Sequence, residues 1–242
     1  AAVFGVLLRG HQIAALGLGY HAAPLQQALD EGKLGAALCA NVDLSQPGMA
    51  EFAHDPTSLH GRSQRVVDDY SRFLLHHAWN GIQHATFAGS GAEANERAFD
   101  LCRLHGPGGR RVLAFEGSFH GRTLLSTFCT YNPAKRTPFE LEGYHAVFLP
   151  FPVWHDPGAE PVVTDEWIRQ WSCGQPPKSR GDEVEDHERA TLQNLMDAVA
   201  SGDVCCVIVE PMQSEGGDRY ATARFFNGLR ALTRHLRLPL VF

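Results

Sequence analysis

Three segments of this 242-residue chain carry residue types whose spacing could do chemistry. In ATFAGSGAEANERAF an apolar run enters Gly89, Ser90 and Gly91 and passes directly into a helix expected from about Ala92. Glycine lets the backbone approach an anion closely, and the unpaired N–H groups of a first helical turn, with the positive end of the dipole, hold it. Ser90, Gly91 and Ala92 are therefore a candidate phosphate cradle. A plain strand-to-helix turn capped by Ser90 fits the same letters. So does the G-x-G-x-x-G/A fingerprint of a dinucleotide site, spelled Gly89-Ser90-Gly91-Ala92-Glu93-Ala94, with Glu116 as ribose ligand.

The second segment, Glu116-Gly117-Ser118-Phe119-His120-Gly121-Arg122-Thr123, places an aromatic ring and an imidazole just after an apolar run. A dinucleotide has no special use for that cluster, whereas a flat pyridine ring needs a stacking partner on one face. Taken alone, F-H-G also fits a turn with a buried Phe and a surface His. The third segment, Val209-Glu210-Pro211-Met212-Gln213-Ser214-Glu215-Gly216-Gly217-Asp218, sets two carboxylates five residues apart behind the apolar run VCCVIV. Such a pair suits the polar floor of a pocket that answers a cationic group. A solvated acidic loop is the plainer reading, made weaker by Glu-Pro following a buried run directly.

Elements able to position these segments follow from periodicity. Short β-branched or aromatic runs at 84–88, 111–115, 145–149, 204–209 and 239–242 alternate with helical stretches at 92–104, 187–200 and 222–235. That alternation predicts an α/β fold, a mostly parallel sheet with flanking helices, whose functional edge lies at the carboxyl ends of the strands. All three segments fall at that edge. Upstream, Val66, Val67, Tyr70, Phe73, Leu74 and Leu75 space an amphipathic helix over 64–77, and residues 1–50 read as a separate N-terminal layer. The stretch 150–186, rich in Pro, Gly and charge, is expected to be a long surface excursion with a short helix near 165–171.

Composition narrows the function. A net charge of -6 gives no basic field for nucleic acid or anionic lipid, and no apolar run reaches the roughly 18 residues of a membrane span. The six cysteines, at 39, 102, 129, 173, 205 and 206, form no C-x-x-C pair, and the histidines lack a ligand spacing such as H-E-x-x-H, so no metal is expected. A basic residue after, not before, the first apolar run argues against a signal peptide.

In this order, S-G-A-E-A-N, F-H-G-R-T and V-E-P-M-Q-S-E-G-G resemble the class III aminotransferases, a family with the type I fold of pyridoxal-phosphate-dependent transferases. The resemblance covers roughly 12–242 and looks nearest to the 4-aminobutyrate aminotransferases, with ornithine, acetylornithine and lysine aminotransferases as alternatives. It implies that Ser90, Gly91 and Ala92 bind the phosphate of pyridoxal 5'-phosphate, that Phe119 stacks on its ring and that His120 lies beside it. Glu210 would support the substrate and cofactor pocket. Glu215 would pair with a late arginine and release it when the carboxylate of glutamate or 2-oxoglutarate enters. The implied partners are a small amino donor and a 2-oxo acid acceptor, with a homodimer as assembly and bacterial cytosol or mitochondrial matrix as compartment.

The resemblance places the Schiff-base lysine after Phe242, so no residue of this chain is assigned to catalysis. Of its lysines, Lys33, Lys135 and Lys178, none is expected at the carboxyl end of a strand facing the motifs; Lys135 reads as an exposed loop residue. Residues 1–50 would belong to a small domain and 51–242 to an incomplete cofactor-binding domain. A start without Met and an end on PLVF read as cut ends. An inactive truncated paralogue and a nucleotide-dependent dehydrogenase remain as competing expectations.

Overall fold

The computed structural model describes residues 23–31, 59–78, 81–139, 142–143, 145–155 and 160–242. The chain divides into two compact units, one within residues 8–94 and a second that contains residues 95–242. In the first unit, α1 (Ala23–Asp30) and α2 (Leu59–His77) are helical, with Val67 buried and Tyr70 and Phe73 exposed. Tyr70 stacks on Phe87 at 5.5 Å between ring centroids. Most of the N-terminal layer expected over 1–50 lies outside the described residues. Residues 82–88, expected to hold a strand at 84–88, carry no strand pairing. α3 (Gly91–His105) crosses the division between the units.

The second unit is a parallel sheet of β1 (Arg111–Phe115), β2 (His145–Leu149), β3 (Val204–Ile208) and β6 (Leu240–Val241), in the order β2-β1-β3-β6. Its apolar strands are buried on both faces, as parallel sheets require. Along β1, Leu113 and Phe115 enter one core while Val112 and Ala114 enter the other, the alternation that a pleated strand imposes. β3 departs from strict alternation. Its register with β1 jumps from Arg111↔Val204 to Val112↔Cys206, so Cys205 is the extra residue of a bulge. Cys205 and Cys206 consequently both join the core that contains Phe99 and Cys102 of α3.

The opposite core is aromatic. Phe115, Phe151 and Phe225 meet edge to face at centroid separations of 6.0, 6.0 and 6.5 Å, and each buried ring contributes about 1.5–3 kcal/mol from desolvation. Over them lie α6 (Asp165–Ser172), α7 (Glu183–Ala200) and α8 (Ala223–His235), each capped by a side chain: Thr164, Asp182 and Thr222. α6 buries Trp167 and Trp171, one turn apart, and Trp167 donates through Nε1 to the Arg224 carbonyl at 2.9 Å. The segment 150–186 is thus no mere surface excursion. Phe151 and two tryptophans anchor it, apolar content outweighing its Pro, Gly and charge.

A buried ion cluster ties α7 to α8. Glu188, fully buried, accepts from Arg224 Nε at 2.7 Å and from the Thr222 hydroxyl; Arg224 also reaches Glu185 at 3.3 Å. Burial pushes the Glu188 carboxyl above its ordinary range against the opposing pull of Thr222 and Arg224. Removing one member strands a charge. Arg224→Met is expected to cost about 3–5 kcal/mol in urea unfolding, and adding Glu188→Gln to recover most of it; a single substitution costing under about 1 kcal/mol would show that the pair is not buried as described.

Candidate active site

Within the sheet, the chain leaves β1 toward β2 on one side, and β3 with β6 lies on the other. The connections reverse between β1 and β3, which makes the carboxyl ends of these two strands a topological switch point, where open α/β sheets open a crevice. Phe119 follows β1 by four residues and Glu210 follows β3 by two. Glu210 Oε2 accepts the Phe119 backbone N–H at 2.9 Å, joining the two strand exits.

Four side chains fix the turn that carries Phe119. Ser118 Oγ donates to the Cys129 carbonyl at 2.9 Å, and the His120 N–H donates to Thr130 Oγ1 at 3.0 Å. Asn95 of α3 donates through Nδ2 to the His120 carbonyl at 2.6 Å. Gln213, fully buried, donates through Nε2 to the Glu116 carbonyl at 2.9 Å. Gln213 belongs to a small antiparallel ribbon, β4 (Met212–Gln213) with β5 (Arg219–Tyr220), that brings the Glu215 loop against this turn. Two glycines permit the approach. Gly117 has φ +82°, and a Cβ there would fall 2.3 Å from Arg219 Nη1; one on Gly216 would fall 2.5 Å from the Gly117 carbonyl oxygen.

Glu210 is half-buried, and burial raises its carboxyl to about 7, the Phe119 N–H opposing and the Glu215 charge adding to the rise. His120 is buried, and desolvation drives its imidazole down to about 3, so it is neutral. Its Nε2 finds no hydrogen-bond partner among the described residues. A buried ring nitrogen without a partner fits a polar ligand group beside it.

Lys135 is where the structure overturns the expectation. Asn132 caps the short helix α5 (Pro133–Arg136), its side chain accepting from the Ala134 N–H at 3.0 Å, and Arg136 fixes the turn by donating to the Thr130 and Tyr131 carbonyls. Lys135 is thereby held with Nζ 5.0 Å from the Phe119 ring centroid and ion-paired to Glu215. It is a half-buried helical residue beside Phe119 and Glu215, not an exposed loop lysine. Asn132-Pro133, an N-cap followed by proline at the first helical position, was the signal for this turn. Lys178 is exposed, and Lys33 lies outside the described residues.

In the other unit, the turn at Ser90 is well formed. Ser90 Oγ accepts the Glu93 N–H at 3.2 Å, and Glu93 Oε2 accepts the Gly89 N–H at 2.7 Å, a near capping box that opens α3. The capped turn and the cradle are compatible, because first-turn N–H groups at Gly91 and Ala92 have no acceptor within the helix. The dinucleotide reading fares worse: its fingerprint belongs after a strand, and among the described residues none precedes Gly89. The structure thus joins Phe119, His120, Glu210 and Glu215 in one unit, and adds Asn95, Gln213, Thr130 and Lys135 to them.

The profile of the family "Aminotransferase class-III" matches residues 57–242. The chain belongs to the class III aminotransferases. It is 32% identical over 161 residues to an acetylornithine/succinyldiaminopimelate aminotransferase of Yersinia pestis, covering 64% of this chain and 30% of that protein. An acetylornithine aminotransferase of Xanthomonas campestris is 32% identical over 228 residues, covering 91% and 41%. Among solved structures, a lysine aminotransferase from M. tuberculosis aligns with a TM-score of 0.59 at 24% identity over 89% of this chain and 44% of that one, which establishes the fold. The chain therefore spans between about a third and a half of the length of these proteins. The expected nearness to 4-aminobutyrate aminotransferases gains no support from these relatives, which are named for acetylornithine and succinyldiaminopimelate.

Pyridoxal phosphate is the cofactor of class III aminotransferases, and the residues at the switch point fit it: a neutral buried imidazole whose Nε2 has no partner among the described residues, next to a phenyl-bearing residue whose backbone is held by Glu210. Taken by itself, the capped helix start at Ser90 in the other unit offers first-turn donors to a phosphate. Among the described residues no helix is long and apolar enough to cross a membrane.

The raised Glu210 carboxyl has a defined pH signature. A folded value above the unfolded 4.5 makes its contribution to stability complete below pH 4.5 and lost as pH climbs to about 7. Against Glu210→Gln, the unmodified protein is expected to lose roughly 2 kcal/mol over that window in urea melts. Parallel curves for the two proteins would contradict this.

Proposed function

We propose that the protein carrying this chain is a pyridoxal-phosphate-dependent aminotransferase that takes the side-chain amino group of an acylated ornithine or similar diamino acid and delivers it to a 2-oxo acid. The observation that carries the reading is the cluster of Phe119, His120, Glu210, Glu215 and Lys135 at the switch point of a class III fold. The names of the matched relatives favour acylornithine over 4-aminobutyrate. In this reading residues 51–242 belong to the cofactor-binding domain, 1–50 to a smaller N-terminal part, and the assembly is a homodimer.

Bound, pyridoxal phosphate supplies the electron sink that lets an amino group leave one carbon and join another. The chain's own residues supply position and electrostatics. Ser90 and the first-turn N–H groups of Gly91 and Ala92 would hold the cofactor's phosphate. Phe119 covers one ring face and excludes water there, its backbone locked by Glu210. With its carboxyl near 7, Glu210 changes charge at working pH and can meet a substrate ammonium without committing to a permanent buried charge. His120 stays uncharged and offers one ring nitrogen. Glu215 and Lys135 present a balanced ion pair to a substrate carrying both signs of charge.

The test is amino-group transfer by the cofactor-loaded protein to 2-oxoglutarate, read as glutamate formed. N-acetylornithine is expected to give at least tenfold higher kcat/KM than 4-aminobutyrate. The reverse order would restore the 4-aminobutyrate reading, and no glutamate from either donor would defeat the proposal.

A further inference from the structure

We infer that Asn95 and Glu96 are positioning residues: from adjacent places on α3 they grip the two sides of a glycine hinge, and so set where Phe119 and His120 stand before a ligand arrives. This rests on the pyridoxal phosphate reading above and adds to it the side chains through which α3 serves the turn that carries the ring.

The hinge is Gly121, at φ +135°, between His120 and the short helix α4 (Leu124–Phe128). Glycine moves among backbone conformations at little cost, so the turn's own backbone does not keep Phe119 and His120 in a fixed relation to α4. α3 supplies that relation. On one side, buried Asn95 donates through Nδ2 to the His120 carbonyl at 2.6 Å. On the other, Glu96 Oε1 accepts both the Thr123 hydroxyl at 2.7 Å and the Ser126 N–H at 3.0 Å. Thr123 is the N-cap of α4, and a threonine there ordinarily turns its hydroxyl onto the second or third N–H of the helix. Here the third N–H, that of Ser126, goes instead to a carboxylate 30 residues upstream, and the Thr123 hydroxyl donates to the same oxygen. Bonds to an ionised acceptor are the stronger kind, so α4 is tied to α3 more firmly than its own cap would hold it in place. Thr130 completes the frame: its Oγ1 accepts the His120 N–H and donates to the Gly121 carbonyl at 3.1 Å. With both flanks of the hinge bound to one helix, the unpartnered His120 Nε2 keeps a fixed aim, and a ligand need not order the turn on arrival.

Amide hydrogen exchange of the unloaded protein, read at residues 119–126, is measured beside a fluorescence titration of pyridoxal phosphate. Glu96→Ala is expected to speed exchange of the Ser126 amide at least tenfold and to weaken pyridoxal phosphate at least fivefold. Glu96→Gln, whose side-chain oxygen accepts the same two bonds, is expected to keep both readouts within about threefold of the unmodified protein. Should Glu96→Ala not melt cooperatively, Thr123→Val decides in its place: it keeps the shape, removes one of the two bonds and is expected to weaken pyridoxal phosphate at least twofold. Faster exchange with unchanged cofactor affinity would assign Glu96 to stability alone and overturns the inference, as does Glu96→Gln behaving like Glu96→Ala. If the unmodified protein takes up no pyridoxal phosphate, the cofactor reading falls and the inference with it. If the unmodified protein and the variants bind it equally well, the reading stands and the inference alone falls.

Discussion

The hydrogen bond from the Phe119 N–H to the Glu210 carboxylate is the constraint on which the candidate site depends. It joins the exits of β1 and β3, the two strands between which the connections reverse. Each loop alone could relax in many directions; the bond holds the two exits together. The bond also places a carboxylate where burial raises it to about 7, so a structural tie and a titratable group are the same side chain. The surrounding polar contacts serve that tie. Ser118, Thr130, Asn95 and Gln213 each fix a backbone group of residues 116–130, and Gly117 and Gly216 leave the space in which the β3 loop closes over the β1 turn.

Behind the site, the two cores solve different problems. On the α6, α7 and α8 face, three phenyl rings and two tryptophans make a dense apolar layer, and the Arg224 cluster binds the helices that cover it. On the α3 face, the bulge at Cys205 turns two adjacent thiols toward the helix that begins at Gly91. Burial, with the Glu96 charge, pushes the Cys129 thiol upward, and hydrogen bonds with Cys102 and Cys205, with burial, push the Cys206 thiol upward, which keeps both protonated filling groups. Neither core touches chemistry directly, and both hold strand ends still.

Much of this was legible in the sequence because it was written in local patterns. Alternating apolar runs and helical periods gave a parallel α/β sheet, and the helices at 91–105, 183–200 and 223–235 lie where spacing put them. The strand at 84–88 failed because an apolar run states only that residues can be buried, and pairing is decided by distant chain. Trp167 and Trp171 were hidden under Pro, Gly and charge, a composition that describes the flanks of that segment and not its anchor. Lys135 was missed for a related reason: its partners are 16 residues back and 80 residues onward, and only the Asn132-Pro133 start marked a turn able to aim it. The substrate preference was illegible since the three motifs carry the resemblance to the whole family and do not separate its members.

The central claim is that the crevice joined by Phe119 and Glu210 receives the ring of pyridoxal phosphate. The most direct measurement is a backbone amide NMR titration with pyridoxal phosphate, read at residues 116–121 and 209–216. The account predicts saturable shifts, largest at Phe119 and His120, that vanish when pyridoxal phosphate is replaced by NAD. Shifts confined to other parts of the sheet, or equal shifts with NAD, would contradict it.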